Sequence, residues 1–200
     1  MPIKILEIMA KFIFLVASLS MFGLLTPLSA QQLIGNYADK IVWPSAYLPS
    51  ESKFFVHNEI DINASPEVVW HILIDALQWE TWYEGAKQVT FDQTNGTTLG
   101  SQTVFQWQTM GLQFQTTIQA FEPNRYLAWE SRKKSIQGYH IWLILPTEFG
   151  CTVITQESQN GWLTFLEKIF QPNKLKKMHD RWLYGLKKKA EATTFNSHNQ

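Results

Sequence analysis

One histidine and one glutamate form the best acid–base pair that the spacing of this chain allows. His140 and Glu157 sit on consecutive runs of alternating polarity, separated by the loop Thr147-Glu148-Phe149-Gly150. With that loop, Pro146 faces Cys151, Ile144 faces Val153, Trp142 faces Thr155 and His140 faces Glu157, all on one side of a hairpin. If Val153 points inward, the imidazole and the carboxylate do so too. Such a pair could act as a general base on an acidic carbon or hydroxyl, or could orient a bound molecule. A one-residue slip would instead turn His140 outward and place the more apolar Tyr139, Ile141, Leu143 and Leu145 inside.

Other chemistries lack their residues. No nucleophile elbow, phosphate loop, paired-cysteine motif or HExxH pair occurs. Cys151 is the single cysteine, which excludes an internal disulfide and a thiolate zinc cluster, and its strand-like setting suits a small buried thiol. His57, His71, His179 and His198 show no metal-ligand spacing with one another or with His140, so neither a metal nor another cofactor is expected. Glu130 and Arg132 alternate with Trp129 and Ser131 and read as a surface pair. Seventeen basic and 17 acidic residues give no net charge, so the positive field that nucleic-acid binding needs is missing. The expected partner is a small hydrophobic ligand. Its candidate contacts are Trp82, Tyr83, Phe105, Trp107, Phe114, Trp129, Trp142, Met178 and Trp182, with His140 and Glu157 as polar handles and hydroxyls at Thr103, Thr116 and Thr155.

These side chains need a scaffold, and the patterns supply one. Phe54 to Ile62 reads as a strand. Ser65 is a natural N-cap, with Pro66 at the first helical position, for a helix to about Ala76 that buries Val69, Trp70, Leu73 and Leu77. A second short helix follows through Trp79–Tyr83, ended by Gly85. From Lys87 to Ser158 the period changes to two, and turn-like breaks divide the stretch into six strands joined as an antiparallel meander, one face wet and one buried. A long helix then spans Gly161 to Ala192, broken at Pro172. Leu175, Met178, Trp182, Leu183 and Leu186 form its apolar stripe, while Lys174, Lys176, Lys177, Arg181 and Lys187–Lys189 make the outer face basic. The segment before Pro172 is apolar nearly all round, which predicts deeper burial or contact with a further hydrophobic surface. The fold class is therefore α+β: a bent antiparallel seven-stranded sheet wrapped round a long C-terminal helix, with two short helices after the first strand.

Residues 1–30 differ in kind. Lys4 and Lys11 precede an uncharged run from Phe12 to Leu25 that ends in Thr26-Pro27-Leu28-Ser29-Ala30, the pattern of a signal peptide or of an uncleaved amino-terminal membrane anchor. The chain is thus expected to be exported, periplasmic or secreted, or held at the membrane. Residues 31–53 read as a linker or arm packed by Trp43 and Tyr47, residues 54–192 as one domain, and residues 193–200 as a disordered tail. A monomer is expected, with membrane association through the amino-terminal segment or the basic terminal helix.

Four stretches carry a resemblance: Ile62-Asn63-Ala64-Ser65-Pro66-Glu67-Val68-Val69-Trp70; Trp79-Glu80-Thr81-Trp82 with Gly85; Gly150 to Glu157 with Gly161; and Leu186-Lys187 with Ala190-Glu191. They resemble the polyketide cyclase/dehydrase and lipid-transport branch of the START/Bet v1-like (SRPBCC) superfamily, over roughly residues 54–192. The resemblance implies a helix-grip fold with an apolar cavity between sheet and terminal helix, used for lipids, sterols and polyketides. Two functions follow as expectations: an exported carrier of a lipid or polyketide-like molecule, or a cyclase/dehydratase-like enzyme with His140 as base and Glu157 as its orienting partner. Docking through the basic helix is a third.

Overall fold

A computed structural model describes residues 39–92 and 96–197. The expected leader at 1–30 lies outside the described residues, as do the start of the arm and residues 198–200.

Seven strands, β1 (Phe54–Ile62), β2 (Lys87–Phe91), β3 (Val104–Thr109), β4 (Leu112–Glu122), β5 (Tyr126–Lys133), β6 (Ile136–Thr147) and β7 (Gly150–Asn160), form one open antiparallel sheet in the order β1-β7-β6-β5-β4-β3-β2. Neighbours are consecutive except where β7 returns to pair with β1, as short turns between alternating runs require. Helix α1 (Pro66–Ile74) and a 3₁₀ turn at Ala76–Thr81 separate β1 from β2, and α2 (Trp162–Phe170) and α3 (Lys174–Ser197) follow β7. This is the expected helix-grip architecture. Helix α1 starts where its residues dictate, with the Val68 N–H directed at Ser65 Oγ and Pro66 in the first turn.

Helix α3 closes the inner face of the sheet. Leu175, His179, Trp182, Leu183, Leu186 and Ala190 are its buried positions, a 3.6-residue stripe. Polar contacts fix it to β1: Asn58 Nδ2 donates to Asp180 Oδ1 at 2.5 Å and to the Lys176 carbonyl at 3.1 Å. Lower down, Lys187 Nζ donates to the Asp61 carbonyl at 2.6 Å and the Asn63 N–H to Glu191 Oε1 at 3.0 Å. A polar inner residue in the middle of β1 thus anchors the helix that covers it.

Four expectations need correction. Leu77 is 41% exposed and does not join the buried side of α1, because that helix ends at Ile74 and the following 3₁₀ turn changes the period. The outer sheet face is not simply wet. The arm lays Ile41 and Tyr47 over Tyr126, Ala128, Tyr139, Ile141, Leu143 and Ile154, a second apolar cluster that accounts for the apolar outer positions of β6. The terminal helix continues to Ser197, beyond the 192 boundary at which a disordered tail is expected. Finally, α2 is not deeply buried: Trp162, Phe165, Ile169 and Phe170 are all more than half exposed. Only Leu163, Thr164 and Glu167 turn inward, because the chain enters α2 through Gly161 in a left-handed conformation (φ 110°). A Cβ on Gly161 would stand 2.5 Å from the Ser135 carbonyl, so that close reversal requires glycine. Glu130 and Arg132 pair at 2.8 Å along one strand, but not as a simple surface pair: Arg132 is exposed, whereas Glu130 is largely covered and accepts a 2.6 Å bond from Tyr47 of the arm.

Candidate functional site

The expected register of the last hairpin is the observed one. His140 pairs with Glu157, Trp142 with Thr155, Ile144 with Val153 and Pro146 with Cys151. Val153 is wholly buried in the main core, so His140 and Glu157 point inward toward α3. What chain spacing did not bring to them is His179, delivered by α3. Its Nε2 lies 3.1 Å from Glu157 Oε2, while His140 Nδ1 lies 3.4 Å from the same oxygen. The two imidazoles stack, with centroids 4.6 Å apart and an interplanar angle of 12°.

A second layer holds these groups. Gln159, two residues along β7, donates from Nε2 to Glu157 Oε1 at 2.7 Å. Thr155 Oγ1 lies 2.6 Å from His140 Nε2 and donates to the Ile141 carbonyl at 3.1 Å. The His140 ring also stacks on Trp142, at 5.3 Å and 19°. Gly138 leaves room for the carboxylate, since a Cβ there would stand 2.7 Å from Glu157 Oε1. Burial pushes the His140 imidazole down to about 3, aided by the adjacent His179 ring and opposed by Glu157, so His140 is neutral at pH 7. For Glu157, burial alone would raise the carboxyl. The His179 hydrogen bond, the His140 ring and the Gln159 bond outweigh it and hold the group below its ordinary value, hence ionised.

Around this cluster lies a cavity between α3, α2 and the β3–β7 surface, with a volume of about 40 Å³. That is room for ordered water and not for a lipid. The reason is the aromatic filling. Trp182 stacks on Tyr83 at 4.4 Å and meets Trp79, Trp107, Trp129 and Trp142 at 5.1–6.0 Å, so indoles occupy space that the fold would otherwise leave hollow. Beside the cavity, sharing Tyr83, Thr109, Met110 and Met178 with it, runs a wider open groove of about 560 Å³. Lys87, Lys174, Lys177 and Arg181 edge that groove, with Glu84 paired to Arg181 at 2.7 Å.

Of the candidate contacts, Tyr83, Trp107, Phe114, Trp129, His140, Glu157, Met178 and Trp182 line the cavity. Phe105 and Trp142 are buried in the core behind it. Trp82 is placed elsewhere: it lines a separate groove of about 400 Å³ with Val68, Ile72 and Lys189, because the 3₁₀ turn and the residues after it bury Trp79 and Tyr83 and turn Trp82 away. The inward hydroxyls are already engaged, Thr116 by Trp107 Nε1 at 2.9 Å and Thr155 by His140. Gln159, Glu167 and His179 line the cavity without having been expected there. His179 had a signal, standing four residues after Leu175 and three before Trp182, on the stripe that packs inward. The expectation of no metal rested on spacing along the chain. That ground is removed, because ligand atoms of His140, Glu157 and His179 all lie within 4.8 Å of one another.

Four buried polar atoms of cavity-lining residues find no partner within the protein: Gln159 Oε1, Glu167 Oε2, His179 Nδ1 and Trp182 Nε1. Each would cost about 1–3 kcal/mol if left unsatisfied, and the four residues that carry them all line one small space. Burial raises the Glu167 carboxyl, with Lys174 opposing and Glu157 reinforcing. The arrangement offers donors and acceptors to a guest and surrounds them with aromatic walls.

Among solved structures, the hypothetical protein jhp0584 of Helicobacter pylori is similar at 28% identity and a TM-score of 0.70, over 75% of this chain and 95% of that one. The Zhui aromatase/cyclase of a Streptomyces species matches at 12% identity and a TM-score of 0.57, over 68% of this chain and 93% of that one. Norcoclaurine synthase from Thalictrum flavum, in complex with dopamine and hydroxybenzaldehyde, matches at 13% identity and a TM-score of 0.53, over 67% and 84%. These last two likenesses are of fold. No curated protein matches. The family model described as polyketide cyclase / dehydrase and lipid transport matches residues 54–191, the whole sheet and the terminal helix as far as Glu191, and the chain belongs to that family.

Proposed function

We propose that this protein binds a small, largely apolar molecule carrying one acidic group, and holds it without transforming it. The presence of unpartnered buried polar atoms on four residues that line one aromatic-walled cavity carries this reading. The ligand body lies along the open groove and enters past Met110 and Met178, its inner end bonded to the cavity groups and its acidic group near Lys87, Lys174 and Lys177. The family's description, which includes lipid transport, supports a small hydrophobic guest.

The enzymatic alternative, a cyclase/dehydratase-like reaction with His140 as general base, is less well served. Both ring nitrogens of His140 face partners, and burial makes the ring a weak base. A titration of tryptophan fluorescence with fatty acids, sterols, isoprenoids and aromatic acids tests the two, since Trp107, Trp129 and Trp182 line the cavity. Binding of an acidic aromatic or lipid-like member is expected, weakened by about 0.5–1.5 kcal/mol in His179→Ala, whose Nδ1 is free to bond it, and not directly in His140→Ala, whose ring nitrogens are both engaged. A turnover that falls about 10²–10⁴-fold in His140→Ala would instead establish the enzyme. If no member binds, the ligand reading fails.

Export belongs to the same proposal and rests on residues 1–30 of the sequence alone. Among the described residues no helix is long and apolar enough to cross a membrane. Expressed with its own amino terminus in a bacterium, the chain should leave the cytoplasm, shortened near Ala30 if cleaved, or intact in the membrane fraction if anchored or associated through the basic face of α3. A full-length soluble cytoplasmic product would contradict it.

A further inference from the structure

We propose that His140 Nδ1, Glu157 Oε2 and His179 Nε2 form a site for one divalent transition-metal ion of the zinc class, with its remaining coordination position open to the cavity. The donor set is the first argument. Two imidazole nitrogens and one carboxylate oxygen suit zinc and its neighbours, whereas magnesium and calcium prefer oxygen alone. Spacing is the second. A tetrahedral ion with bonds of about 2.0–2.1 Å holds its ligand atoms about 3.4 Å apart. Here the carboxylate oxygen stands 3.4 Å from one nitrogen and 3.1 Å from the other, and binding requires the two stacked imidazoles to tilt out of their near-parallel arrangement so that each directs an in-plane lone pair at the ion.

The third argument is the layer behind the ligands. Thr155 donates its hydroxyl proton to the Ile141 carbonyl at 3.1 Å, so its oxygen is free to accept from His140 Nε2 at 2.6 Å. In that tautomer Nδ1 presents a lone pair toward the Glu157 carboxylate, an arrangement that a cation between them makes favourable. Gln159 meanwhile holds the other carboxylate oxygen at 2.7 Å, leaving Oε2 for the ion. Outer hydrogen bonds of this kind orient ligands in established metal sites. The three ligands come from β6, β7 and α3, so an ion would also tie the helix to the sheet. The site overlaps the cavity of the proposed ligand but does not depend on that reading.

The test uses purified full-length protein stripped with a chelator and titrated with Co²⁺ alone, followed by visible absorption and then by displacement with Zn²⁺. One ion per chain, with the absorption of four- or five-coordinate cobalt and a melting temperature raised by Zn²⁺, is expected. Incorporation should be lost in Glu157→Gln and His179→Ala. It should weaken about 10–100-fold in Thr155→Val and Gln159→Leu, which keep all three ligands and serve if a ligand variant does not fold. Failure of the folded protein to bind either ion overturns the proposal. So does binding that is undiminished in these variants, which would place the ion elsewhere, such as at the outer His57–Glu59 pair. Fluorescence titration of the metal-free protein separates the two readings: a ligand bound without metal leaves the ligand site standing when the metal site falls, and metal bound without ligand does the reverse.

Discussion

Replacing Trp182 with alanine should destabilise the protein by about 3–5 kcal/mol, the range for removing a large buried aromatic side chain. Trp182 is 2% exposed. Its ring stands against rings from the 3₁₀ turn (Trp79), the segment after it (Tyr83), β3 (Trp107), β5 (Trp129) and β6 (Trp142), so one side chain connects most of the elements that surround the cavity. The hole left by an indole among indoles cannot collapse without moving the sheet against α3. Urea unfolding followed by far-UV circular dichroism measures the loss. A value under about 1 kcal/mol would mean that the helix does not close the sheet through this residue.

Tyr47→Ala is the second large effect, also about 3–5 kcal/mol. Tyr47 belongs to the stretch read as a linker or as an arm packed by Trp43 and Tyr47; it is buried, stacks on Tyr139 at 5.5 Å and donates a 2.6 Å hydrogen bond to Glu130. Removing it uncovers the apolar outer face of β5–β7, where Ile141 and Leu143 are wholly buried. Tyr47→Phe separates the contributions: it keeps the ring and loses only the bond to a carboxylate, about 1.5–3 kcal/mol at most. Burial, reinforced by Glu130, also raises the Tyr47 hydroxyl, so it stays protonated and keeps donating through the neutral range. Thermal unfolding of the pair distinguishes an integral arm from a passive tether. A change below about 0.5 kcal/mol in Tyr47→Ala would leave it a tether.

The architecture was legible because each element announced itself by period and punctuation. Ser65-Pro66 started α1, Gly111 and Asn124 marked two of the turns, and the two-residue alternation of β6 and β7 fixed the register that brings His140 opposite Glu157. His179 was missed for want of treating a histidine as a member of an apolar stripe: its position between Leu175 and Trp182 already placed it inside. Trp82 was misplaced because a 3₁₀ turn of six residues does not keep the α-helical period. The exposure of α2 could not be read from composition, since hydrophobicity on all sides says that a helix is apolar and not what covers it. The cavity's small volume was equally hidden, because aromatic residues that line a hollow and aromatic residues that fill it have the same sequence pattern.

Native mass spectrometry of the purified protein tests the central claim most directly, that the open groove takes a small molecule whose inner end bonds to the polar groups of the aromatic-walled cavity. The account predicts a species heavier than the bare chain by one small organic molecule, released on denaturation and lost or diminished when His179 is replaced. A bare chain that also acquires no adduct on incubation with acidic aromatic and lipid-like compounds would contradict it.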